Sequence, residues 1–169
     1  GLAGLVANNL AASEAAFRRS LTLEPKRADA MLGLAEVAFR RKQLDEAKKL
    51  IIKAVDAEPR NANAHASLGR VHALDRAYDK AEQSLKQAIA LDSTLVRPRM
   101  DLADLYATSL RKPADAVQLY QDVIAIAPEH AGAHYAQGVI LAGMTDRVNE
   151  ARSLLDKAAV LEPRNPLPA

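Results

Sequence analysis

Four histidines are the side chains of this sequence best suited to hold a metal ion. His130 and His134 stand four apart, a spacing that sets two imidazoles on one helical face, and His65 and His72 stand two helical turns apart. Neither pair lies in an H-E-x-x-H arrangement, and the chain has no cysteine to add a thiolate. The competing reading is packing. His65 and His134 hold equivalent slots of an internal repeat, His72 fills the next slot, and His130 falls in a connecting turn. We expect no metal and no cofactor. The serines lack a nucleophile elbow or a base partner, the glycines form no phosphate-cradling loop, and the carboxylates are scattered. No constellation here supports catalysis, so the chain is not read as an enzyme.

Charge narrows the partners. With 23 basic and 21 acidic residues the formal net charge is +2, which gives no global attraction for nucleic acid or for an anionic membrane. No apolar run approaches the roughly 20 residues of a membrane span, and the opening GLAGLVANNL lacks the pattern of a signal peptide. No membrane insertion is expected. One local cluster is basic: Arg40, Arg41, Lys42, Lys48, Lys49 and Lys53, with Asp45 and Glu46 between them. It is a candidate docking patch for an acidic partner. The plainer reading, a solvated helix face, is preferred, and the absence of interleaved aromatics argues against single-stranded nucleic acid.

These residues are spaced by a repeat. Pro25 and Pro59 close LTLEP and VDAEP, 34 residues apart; Ser93 takes the next slot, and Pro128 and Pro163 follow at intervals of 35. Ala47, Ala81, Ala116 and Ala151 each precede a proline slot by twelve residues. Ala54, Ala88, Val123 and Ala158 follow seven later, and Ala35, Gly69, Ala103 and Gly138 recur upstream. Within each unit the apolar spacing of three and four is helical. Aspartates at 45, 79 and 115 mark the starts of second helices, where carboxylates meet the positive end of the dipole. Pro98 suits a helix start, and Pro113 reads as part of a turn. Each unit is therefore two antiparallel helices. Small residues at Gly69 and Ala81 let their backbones approach closely, and larger ones would wedge them apart.

The pattern resembles the tetratricopeptide repeat, with A-x3-F elements at Ala47/Ile51, Ala81/Leu85, Ala116/Tyr120 and Ala151/Leu155. The tryptophan of its first slot is replaced by Met31, His65, Arg99 and His134. The resemblance implies an all-α fold, an α-α superhelix (solenoid) of antiparallel helix pairs. Its units run 28–61, 62–95, 96–130 and 131–165. Residues 1–27 read as a truncated unit, mainly its second helix, with Phe17, Leu21, Leu23 and Pro25 in place, and 166–169 as a tail. One extra residue is expected between the helices of each of the last two units, near Lys112 and Thr145. Both ends look cut, as in a fragment of a longer array, because such arrays usually finish in a polar capping helix.

The same resemblance places function in a concave groove lined by first helices. The candidate groove residues are Glu36 and Phe39, Asn63 and Arg70, Arg97, Met100 and Asp104, and Tyr135. Mixed charge beside apolar anchors suits a peptide or helical segment of a protein partner within a larger multi-protein complex. The two-carboxylate clamp of chaperone-tail binders is not matched, since its positions read Leu32 and Glu36, Ser67, and Arg97 and Asp101. The alternative is an assembly element that self-associates through uncapped ends, where Leu154, Leu155 and Val160 would be exposed. Its setting would be a bacterial secretion or polysaccharide-export protein.

Overall fold

The computed structural model describes residues 2–162, with side chains from residue 9 onward. Pro163 and the 166–169 tail lie outside the described residues. Among the described residues there are nine α-helices and no strand. They are α1 (Leu2–Leu23), α2 (Ala28–Arg40), α3 (Leu44–Ala57), α4 (Ala62–Leu74), α5 (Tyr78–Leu91), α6 (Val96–Thr108), α7 (Pro113–Ile126), α8 (Ala131–Ala142) and α9 (Val148–Leu161). The described residues fall into two compact units, the first ending at Asp92 and the second beginning at Ser93. In the first, α2 packs on α3 and α4 on α5; in the second, α6 packs on α7 and α8 on α9.

The small residues sit where the helices touch. Ala47, Ala81, Ala116 and Ala151 are all buried, as are Ala35, Gly69, Ala103 and Gly138. A Cβ placed on Gly69 would lie 2.6 Å from Leu85 Cγ and 3.3 Å from the Ala81 carbonyl oxygen. One on Gly138 would lie 2.9 Å from Leu155 Cγ and 3.2 Å from the Ala151 carbonyl. Ordinary carbon contacts are about 3.5–4.0 Å, so these glycines set the approach of α4 to α5 and of α8 to α9. Gly33 plays the same part for the ring of Phe17, 2.4 Å from where its Cβ would be. That contact docks α1 on α2. At 22 residues, α1 is longer than the second helix expected there, and Leu23 at its end is 80% exposed.

The turns between paired helices explain the extra residues. After α2, the Gln43 N–H bonds to the Ala38 carbonyl and the Lys42 N–H to that of Phe39, each at 2.9 Å, with Lys42 at φ 61°. After α4, Ala77 and Arg76 repeat those bonds to His72 and Ala73, with Arg76 at φ 57°. These are Schellman closures, which require a left-handed residue after the helix. The turns of α6–α7 (109–112) and α8–α9 (143–147) are longer, as expected. Arg111 takes the left-handed role in the first of them, at φ 52°. Pro113 is not in the turn as expected; it is the first residue of α7, where a missing N–H costs nothing and the fixed φ is already helical.

Candidate binding faces of the two units

In the first unit the outward faces of α2 and α4 lie side by side. On α2, Glu36 and Arg40 are exposed and paired with each other at 2.9 Å. Phe39 is half-buried, packed against the core of Ala35, Ala38, Ala47, Ile51 and Val71. On α4, Asn63 and Arg70 are exposed. Leu74, one turn beyond Arg70, is 63% exposed. The first unit thus brings Glu36, Phe39, Asn63 and Arg70 onto neighbouring helices.

At the start of these helices lies an open cleft lined by Asp29, Glu58, Arg60, Asn61, Asn63 and Asp92 among others. Glu58 and Asn61 are engaged in holding the repeat. The Ala28 N–H donates to Glu58 Oε1 at 2.9 Å, so a carboxylate beyond the end of α3 caps α2. The Asn61 side chain accepts from the Ala64 N–H at 3.0 Å, capping α4, and its amide donates to Glu58 Oε2 at 3.0 Å. The Asn61 amide, then the Ala28 N–H, hold the Glu58 carboxyl below its ordinary pKa. Sequence reasoning missed Glu58; the signal was the carboxylate before the proline slot, repeated as Glu24, Asp92 and Glu162.

In the second unit, α6 carries exposed Arg97 and Asp104 and half-buried Met100. Arg97 is paired with Asp101 at 3.1 Å. Asp104 accepts a hydrogen bond from the hydroxyl of Tyr120, a side chain only 1% exposed. Burial, and then Asp104, push the Tyr120 pKa far up, so the phenol keeps its proton and stays a donor. Asp104 therefore ties α6 to α7 as well as facing outward. The tyrosine in the slot that elsewhere holds Ile51, Leu85 and Leu155 was its sequence signal. On α8, Tyr135 and Val139 are 42% and 49% exposed, one turn apart.

Three of the six cations of the basic cluster are paired. Arg40 pairs with Glu36, Arg41 with Glu14 at 2.6 Å, and Lys48 with Asp75 at 2.5 Å. Lys42 serves a turn, and Lys49 and Lys53 are exposed on α3.

The histidines hold backbone. His65 Nε2 donates to the Pro59 carbonyl at 2.8 Å and His134 Nε2 to that of Pro128 at 2.9 Å. A carbonyl only accepts, so each bond needs a proton on Nε2. Arg99, in the equivalent slot, donates to the Leu95 carbonyl at 2.8 Å. His130 Nδ1 accepts from the Ala133 N–H at 3.1 Å and caps α8, so its ring and that of His134 serve different ends of one turn. His72 is half-buried; burial first, and then Lys80, lower its pKa. Among the described residues no three potential metal-ligating side chains cluster, and no helix is long and apolar enough to cross a membrane.

Comparisons agree with this architecture. Two tetratricopeptide repeat models match, over residues 5–71 and 100–166. Among curated proteins, the chain is 26% identical over 152 residues to human protein O-mannosyl-transferase TMTC3, covering 88% of this chain and 16% of that one. It is 29% identical over 171 residues to cellulose synthase operon protein C of Xanthomonas axonopodis pv. citri, covering 96% of this chain and 11% of that one. The chain thus spans a small part of either relative. Among solved structures, PilF of Pseudomonas aeruginosa superposes with TM-score 0.84 at 23% identity, covering 98% of this chain and 74% of that one. YrrB, described as a repeat protein of this kind with an unusual peptide-binding site, superposes with TM-score 0.68 at 25% identity, covering 95% and 81%. The recurring helix pairs, the small-residue contacts within them and the two model matches agree: this all-α helical-repeat solenoid belongs to the tetratricopeptide repeat family.

Proposed function

We propose that this chain is a protein-interaction scaffold whose first helices hold a peptide or helical segment of a partner, within a larger assembly. The carrying observation is the exposure of Leu74 on α4 and of Tyr135 and Val139 on α8. Large apolar side chains left in water at mid-helix and helix-end positions are the anchors a protein partner desolvates. The peptide-binding site named for YrrB supports the same class of ligand. A photo-crosslinking side chain placed at Tyr135 or Leu74 is expected to form adducts with partner protein. The same probe at Ile52, exposed on the second helix α3, is expected to form none. Adducts from Ile52 alone would place the binding face on the second helices.

A second reading is an assembly element in a polysaccharide-export or secretion system. It is favoured by the likeness to the cellulose synthase operon protein and by Val160, 75% exposed on α9. Leu154 and Leu155 do not add to that surface as expected: Leu154 packs on Val117, Leu141 and Ala151, and Leu155 lies against Gly138. Under this reading the sedimentation coefficient rises with concentration and Val160→Glu abolishes the rise. A constant coefficient removes it.

A further inference from the structure

Arg70 is the one Lys or Arg side chain of α4. Arg40, Arg41 and Lys48 each have a carboxylate within 3 Å. Arg70 is exposed and makes no ion pair among the described residues. One turn along the same stripe of α4, Leu74 is 63% exposed. A guanidinium with no ion pair among the described residues and an exposed leucine thus stand one turn apart on α4, next to the helix that carries the paired Glu36 and Arg40.

We infer that this face of α4 takes an extended acidic segment of a partner protein, with a carboxylate on Arg70 and an apolar side chain, two residues away, on Leu74. The inference rests on the groove reading proposed above and adds the chemistry of its ligand. Four residues of helix rise about 6 Å. Side chains on the same side of an extended chain recur every two residues, about 6.6 Å. The two spacings match, so an acidic-x-apolar motif engages both groups at once. A helical partner needs several apolar anchors along its length. The α4 stripe offers only Leu74, because Ala66 is buried and Ala73 half-buried. The guanidinium fork suits a carboxylate held by two N–H groups, which a lysine cannot reproduce.

The test is a displayed library of random twelve-residue peptides selected on the whole chain, in wild type and in Arg70→Glu, Arg70→Lys and Leu74→Ser. Circular dichroism confirms that each variant is folded. Wild type is expected to enrich Asp or Glu followed, after one residue, by Leu, Ile or Phe. Arg70→Glu is expected to switch the acidic position to Lys or Arg. A selected acidic peptide loses at least tenfold in affinity against Arg70→Glu, less against Arg70→Lys, and its Lys-substituted version recovers binding to Arg70→Glu. Binding that falls with Leu74→Ser but ignores Arg70→Glu overturns the carboxylate inference and leaves the groove reading standing. Indifference to both variants, or no common motif, overturns both for this unit. A motif spaced by four residues overturns the extended segment in favour of a helix.

Discussion

Replacing Gly69 with alanine sets two opposed effects against each other, and the structure decides between them. Alanine favours a helix interior over glycine by about 1 kcal/mol. The new methyl, however, would stand 2.6 Å from Leu85 Cγ and 2.9 Å from Leu85 Cδ2. That is about 1 Å inside ordinary contact. Leu85 is 1% exposed and has nowhere to swing. Overpacking of this kind costs about 1–3 kcal/mol. The net expectation is a destabilisation of about 1 kcal/mol. In a Leu85→Ala background the clash is gone and only the Ala81 carbonyl, 3.3 Å away, remains close. Leu85→Ala alone costs about 2–5 kcal/mol. On top of it, Gly69→Ala becomes neutral or stabilising by up to about 1 kcal/mol, because propensity and cavity filling now act together. The assay is a double-mutant cycle from urea unfolding followed by circular dichroism. A coupling energy of about 1–2 kcal/mol is expected. Additive effects, within about 0.5 kcal/mol, would refute the claim that Gly69 sets the approach of α4 to α5 through Leu85.

Further outcomes follow from the same contacts. Ala81→Leu forces three carbons into a site with no exposed surface and is expected to lower stability by about 1–3 kcal/mol; an unchanged thermal melt would contradict the packing. Lys42→Gly relieves a left-handed residue and is expected to be neutral or to stabilise by up to about 1 kcal/mol, whereas Lys42→Val, β-branched at φ 61°, should destabilise in chemical unfolding. Asn61→Ala removes the cap of α4 and is expected to cost about 1 kcal/mol. The Glu58 carboxyl has a lowered pKa in the fold, so its contribution is present above the unfolded value of about 4.3 and is lost as pH falls through the folded one. Glu58→Gln should therefore flatten the acid limb of a stability-against-pH curve measured below about pH 5, and a limb as steep as wild type would show that Glu58 contributes nothing to it.

Period alone reveals the helix pairs, because the same small residues must recur wherever two backbones meet: Ala47, Ala81, Ala116 and Ala151, which the period marks, are all buried. The longer third and fourth turns are equally legible; the third has one residue more than the first two, and the fourth two more, because α8 stops one residue short. Pro113 was not placed correctly, because proline is at home both in a turn and at the first position of a helix, and only the register of α7 chooses between them. Side-chain partnerships were also beyond the sequence. Glu58 reaches Ala28 across 30 positions, Arg41 reaches Glu14, and Lys48 reaches Asp75. Together with Arg40–Glu36, those pairings engage three of the six cations of the basic cluster, while Arg70, the one Lys or Arg of α4, makes no ion pair among the described residues. A local pattern records which residues share a helix face, since 3.6 residues per turn is a property of the backbone. Which charges cancel depends on how one helix end is set against another, and that is decided only when the packed small residues bring distant turns within hydrogen-bonding distance.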